Sequence, residues 1–142
     1  MRKRSILILF VLILSLVLLL QVSSSAGEPC DKLGCTPGYW KQPQHLDSWV
    51  FYSPDAYFDD TFGVGPRITL LDALWLKGGG ENAFLRHATA GLLNSVHPDV
   101  HYYYYHDALL AFVQNTYAGT PPDFEYNKDL LAGWNEAGCP LD

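Results

Sequence analysis

Charge is scarce in this chain. Asp, Glu, Lys and Arg make up 17% of its 142 residues, against 14% for Phe, Trp and Tyr. So aromatic and weakly charged a composition excludes a disordered chain. Cysteine is rarer still, with Cys30, Cys35 and Cys139 only, and no spacing among them fits a two-pair zinc site. Catalytic patterns are also missing. After residue 26 the only serines are Ser48, Ser53 and Ser95, none of them in Gly-x-Ser-x-Gly. There is no His-Glu-x-x-His and no Asn-x-Ser/Thr acceptor. Gly78-Gly79-Gly80 follows Lys77 but lacks the order of a phosphate-binding loop. Asp47, Asp59 and Asp60 offer oxygen ligands without the spacing of a calcium loop. Past residue 22 no apolar run is long enough to span a bilayer.

The first 26 residues are of another kind. Arg2, Lys3 and Arg4 precede an apolar run, Ile6 to Leu20, interrupted only by Ser15. Ser23 to Ala26 then place small residues before Gly27. Basic, apolar and small-residue parts in this order predict a cleaved secretory signal over 1–26, a linker over 27–34 and a secreted domain over 35–142. A retained N-terminal anchor is the alternative; Gly27-Glu28-Pro29 makes a poor lipid-attachment site before Cys30. Without Arg2, Lys3 and Arg4, 6 Lys/Arg of the 9 face all 15 Asp/Glu, a net charge of about −9. That sign argues against a nucleic-acid partner.

Outside the cytoplasm, cysteines are read as disulfides. We favour Cys35–Cys139, which ties the start of the domain to its end and closes a loop of about 100 residues. Cys30 is then a spare thiol or a link to a second chain, as in a disulfide-linked dimer, and Cys30–Cys35 is the local alternative.

Pro43 and Pro54 break the aromatic stretch Tyr39–Phe62, which is expected to be irregular, with a helical turn near 45–50. Beyond it the pattern is helical. Thr69 and Asp72 form a capping box for a helix through Leu74 and Trp75, stopped at Gly78-Gly79-Gly80. A second helix opens at Glu81, lines up Phe84, Leu85, Ala88, Leu92 and Val96, and ends at Pro98. A third opens at Asp107, carries Leu109, Phe112, Val113 and Thr116, and stops at Gly119. Thr120-Pro121-Pro122-Asp123 is a second capping box, for a helix carrying Phe124, Tyr126, Leu130, Leu131 and Trp134. The expected fold is therefore mainly α: a small single-domain bundle of about four short helices behind a long irregular aromatic segment, tied by one disulfide.

Five blocks carry a resemblance: Cys35-Thr36-Pro37-Gly38-Tyr39-Trp40-Lys41, Gly78-Gly79-Gly80, Arg86-His87-Ala88, Leu92-Leu93-Asn94 and Gly138-Cys139-Pro140-Leu141. In this order they resemble a secreted prokaryotic cell-surface domain of unknown function. The resemblance spans about Cys35 to Leu141. It implies secretion, a compact domain and the Cys35–Cys139 pairing, and it implies no reaction. One departure is that the family continues Lys-Asn-His where this chain reads Lys41-Gln42-Pro43, with His45 the nearest histidine.

Two constellations offer function. Tyr102, Tyr103, Tyr104 and Tyr105 form a run in which alternation would bury two rings and expose two. Exposed tyrosines give rigid contact area with a polar tip, so this run, with Trp49, Tyr52 and Tyr57 of similar character, is a candidate face for protein or carbohydrate. His97-Pro98-Asp99-Val100-His101 is the candidate metal segment: if extended, it turns His97, Asp99 and His101 to one side, and His87 would add a fourth ligand for zinc or copper. The competing reading is a surface loop turned by Pro98 and Asp99. His87 and Asn94, seven residues apart on one helical face, read first as a buried polar pair. The expectation is a secreted or cell-surface non-enzymatic binding or structural module without a cofactor; the alternative is an extracellular zinc or copper protein, with metal-dependent catalysis as its extension.

Overall fold

The computed structural model describes residues 33–141. The expected signal, most of the linker and Cys30 lie outside the described residues. Among the described residues six α-helices and one 3-10 helix follow in order: α1 (Pro37–Trp40), the 3-10 helix (Pro43–Ser48), α2 (Phe58–Phe62), α3 (Leu70–Trp75), α4 (Gly80–Val96), α5 (His106–Ala118) and α6 (Phe124–Asn135). Among the described residues the only β-type pairings are the isolated bridges Gly34–Gly138 and Tyr57–Thr69. The protein is mainly α, and no helix of the described part is long and apolar enough to cross a membrane.

Capping chemistry explains several helix starts. Thr36 accepts from Tyr39 N, and Pro37 sits at the first helical position. Thr69 accepts from Asp72 N at 3.0 Å, as the capping pattern predicts. The last helix starts later than expected: its cap is Asp123, which accepts from Tyr126 N at 3.1 Å, and Thr120 is not part of it. A carboxylate there also suits the positive end of the helix. A second correction concerns the triple glycine. Helix α3 ends at Trp75 with Leu76 as its C-cap, and the glycines serve the entry to α4, with Gly78 and Gly80 at φ +91° and +59°. Arg86 braces this entry, donating to Leu76 O at 2.8 Å and Gly78 O at 3.0 Å.

Besides the 3-10 helix close to the expected turn, the segment expected to be irregular holds α2 and the end of α1, both short. Each buries an aromatic pair, Tyr39 with Trp40 in α1 and Phe58 with Phe62 in α2. Burial of these rings, not helical propensity, holds helices of four and five residues.

Helix α4 is the axis. It packs against α6 most extensively, and against α3, α5 and α1. Residues 88 to 94 are all buried, so this stretch is covered on every side. One core cluster gathers Phe58, Phe62, Leu70, Phe84, Leu92 and Leu109; the other gathers Trp40, Leu74, Leu93, Val100 and Tyr102. Cys35 and Cys139 are bonded across 104 residues with a Cα–Cα distance of 4.4 Å, which excludes the Cys30–Cys35 pairing. Beside them Gly34 N donates to Gly138 O at 3.0 Å, and Leu33 N donates to His101 O at 3.0 Å, so the end of the expected linker belongs to the fold. A Cβ on Gly34 would lie 2.2 Å from Trp134 O, so only glycine fits where the first strand of chain crosses the end of α6.

Candidate functional site

The tyrosine run lies between α4 and α5 and alternates as expected. Tyr102 is buried and Tyr104 half-buried, whereas Tyr103 and Tyr105 are 45% and 84% exposed. Tyr103 lies flat on Trp134, with ring centroids 3.9 Å apart and planes 3° from parallel. Tyr104 stands perpendicular to Tyr103 at 4.9 Å and rests on Phe112 at 5.3 Å. Helix α6 thus supplies half of the stack. Tyr126, Leu130 and Trp134 recur every four residues along one line of it, and Tyr126 is exposed. The buried side of α6 is instead Leu131 and Asn135. Burial pushes the Tyr104 phenol up, with Tyr103 and Tyr126 adding to the shift.

The other aromatic residues grouped with this run are engaged elsewhere. The Arg67 guanidinium sits 4.1 Å over the Tyr57 ring, while its Nη1 reaches Asp59 and Asp60 at 3.1 and 3.0 Å. Trp49 Nε1 donates to Trp40 O at 3.1 Å. Tyr52 pairs with His106. Lys41 covers exposed Trp75 at 4.6 Å.

The metal segment takes the competing form. Val100 N donates to His97 O at 3.2 Å, and Asp99 N donates to His97 Nδ1 at 3.2 Å. The chain turns at Pro98-Asp99 instead of running extended, so period-two alternation does not apply. The His97 ring lies 6.0 Å from that of Trp40, and His101 is exposed. Among the described residues no three His, Cys, Asp or Glu side chains are grouped so as to hold an ion.

His87 and Asn94 meet in a buried polar network, through a residue the sequence did not flag. Asn94 Oδ1 accepts from Cys35 N at 2.8 Å and Trp40 Nε1 at 3.1 Å. Its Nδ2 donates to Cys35 O at 2.9 Å and Asn135 Oδ1 at 3.0 Å. Asn135 Oδ1 also accepts the Tyr102 hydroxyl at 2.8 Å, and its Nδ2 reaches His87 O at 2.9 Å and His87 Nδ1 at 3.4 Å. Every polar atom of the Asn94 amide is used. This network holds Tyr102 in place, and Tyr102 anchors the tyrosine run. Gly91 makes the approach possible, since a Cβ there would lie 2.9 Å from the Tyr102 hydroxyl.

Burial, reinforced by Arg86 and Lys128, pushes the His87 imidazole down to about 4. The unfolded chain, titrating near 6.5, therefore binds the proton more readily than the fold does. The contribution of neutral His87 is complete above pH 6.5 and is lost as pH falls through 4. At a half-buried ring this amounts to about 1–2 kcal/mol. Urea unfolding at pH 7 and pH 4 measures it: His87→Gln has a smaller loss of stability on acidification than the wild-type chain.

No family model matches this chain, and no curated protein or solved structure matches it.

Proposed function

We propose that the protein is a secreted or cell-surface binding module without catalytic activity, and that its contact face is the Tyr103–Trp134 stack flanked by Tyr105. The parallel stack at 3.9 Å, with Tyr103 still 45% exposed, is the observation that supports this reading. A stacked pair loses little conformational freedom on binding and offers apolar area with a hydroxyl at its edge. Tyr57 and Trp75 are each covered by a cation, whereas no cation lies over Tyr103 or Tyr105 among the described residues. A flat aromatic plate suits the apolar face of a sugar ring, so carbohydrate is the partner class we favour over protein.

Affinity electrophoresis through gels containing soluble polysaccharides tests this. At least one polysaccharide retards the wild-type chain, and Tyr103→Ala weakens that retardation about tenfold, the scale of one interface anchor. The ring is half exposed, so the variant melts within a few degrees of wild type. Equal retardation of the two chains, or none in any gel, would overturn the reading.

A further inference from the structure

A cleft of about 420 Å³ opens between the chain after the 3-10 helix, the end of α4 and the start of α5. Phe51, Tyr52, Ser95, Val96 and His106 line it. Its wall holds an ordered chain of hydrogen bonds. Tyr52 Oη is 2.5 Å from His106 Nε2, and His106 Nδ1 is 2.9 Å from Asp107 Oδ1. An ionised Asp107 only accepts, so Nδ1 carries the ring proton, and Nε2 of the neutral ring accepts the Tyr52 O–H. Burial, and then Asp107, push the Tyr52 phenol up, which keeps its proton in place.

Both bonds point toward the carboxylate. Polarisation along the chain leaves the Tyr52 oxygen as an enriched acceptor with lone pairs unspent. The rest of the lining suits an apolar body. The Tyr52 and His106 rings lie 6.0 Å apart at 22°, Val96 comes from α4, and Ser95 Oγ is already spent on Leu92 O at 2.7 Å. Phe51 completes the rim in an unusual state. It is the one described non-glycine residue with positive φ, at +65°, in a three-residue turn where Tyr52 N donates to Val50 O at 2.8 Å. Its side chain is nevertheless 87% exposed, so core packing does not account for the strained backbone.

We propose that this cleft binds a small organic ammonium, its N–H donors on the Tyr52 oxygen and its apolar body against Phe51, Val96 and the Tyr52 ring. Charge agrees with this occupant, since Asp107 ends the relay 99% exposed and the chain carries 15 acidic against 9 basic residues. The lining rings attract a cation through the ring quadrupole, and Asp107, one hydrogen bond behind His106, adds negative charge.

Calorimetric titration of the full chain with benzylammonium chloride, and with benzyl alcohol as a neutral isostere, tests the proposal. The ammonium binds one to one and the alcohol at least tenfold more weakly. Tyr52→Phe removes the acceptor and Asp107→Asn the end of the relay; each weakens ammonium binding about tenfold, and the second side chain is too exposed to disturb folding. Tyr103→Ala leaves this binding unchanged, which separates it from the proposed contact face. No saturable heat with the ammonium, equal affinity for the alcohol, or unaltered affinity in a folded Tyr52→Phe or Asp107→Asn would overturn it.

Discussion

Asn94→Ala lowers the stability of the fold by about 3–5 kcal/mol, an expectation built from buried donors stripped of their acceptor. The Cys35 amide and the Trp40 indole N–H both donate to Asn94 Oδ1, at 2.8 and 3.1 Å, in a region closed to water. Each buried group left unpaired costs about 1–3 kcal/mol, and a hydrophobic replacement satisfies neither. Asn94→Asp is the sharper probe. It keeps the acceptor but turns a carboxylate oxygen toward Cys35 O and Asn135 Oδ1, where Nδ2 now donates at 2.9 and 3.0 Å. Burial favours the protonated acid, which regains one donor. The deficit of Asn94→Asp relative to wild type is therefore smaller at pH 4 than at pH 7. Urea unfolding at the two pH values measures both variants. A loss under 1 kcal/mol for Asn94→Ala would mean that Trp40 and Cys35 find other partners.

The second large effect comes from the disulfide. Replacing Cys35 and Cys139 together by serine costs about 4–5 kcal/mol in the chain-entropy description, given a closed loop of about 100 residues. The cost falls on a domain of ordinary marginal stability, about 5–15 kcal/mol, so the double variant is partly unfolded near 37 °C. Unfolding of the oxidised and reduced wild-type chain under the same denaturant measures the effect without a mutation. The two predictions are coupled. Asn94 grips the backbone of Cys35 on both sides, so part of what each holds is the same placement of residue 35. The double loss is smaller than the sum.

Much of this architecture was legible because α3 to α6 advertise themselves. Thr69 caps as its spacing predicts, and the apolar positions of α4 and α5 recur at helical period. The last helix was legible in kind but not in its start. Thr120 and Asp123 are both good caps, and sequence cannot say which the neighbouring prolines leave in position. Helices α1 and α2 stayed hidden since four or five residues are too few to show a period. The signal for α1 is Thr36-Pro37, a cap followed by proline, whereas α2 has no side-chain cap to announce it.

The polar network and the contact face were half legible. Asn94 and His87 were visible as a pair on one helix, but their link, Asn135, comes from α6 and has meaning only where α6 crosses α4. Likewise the alternation of Tyr102 to Tyr105 could be read along the chain, while the ring beneath Tyr103 could not. Trp134 is 31 residues further on. For residues 97–101 the sequence allows both an extended run and a turn at Pro98-Asp99, and local hydrogen bonds to His97 decide for the turn.

The junction at Cys35 and Cys139 also decides how the domain answers to force. The two ends of the described chain leave from one spot, clasped by the Gly34–Gly138 bridge and the covalent bond beside it. Tension applied between residue 33 and residue 141 runs through that bond and bypasses the 103 residues between the cysteines. The helices, the tyrosine run and the cleft hang from the load path as a pendant rather than forming links in it. A domain wired this way keeps its surfaces intact while its flanks are pulled, and surrenders them only when the sulfur–sulfur bond is reduced.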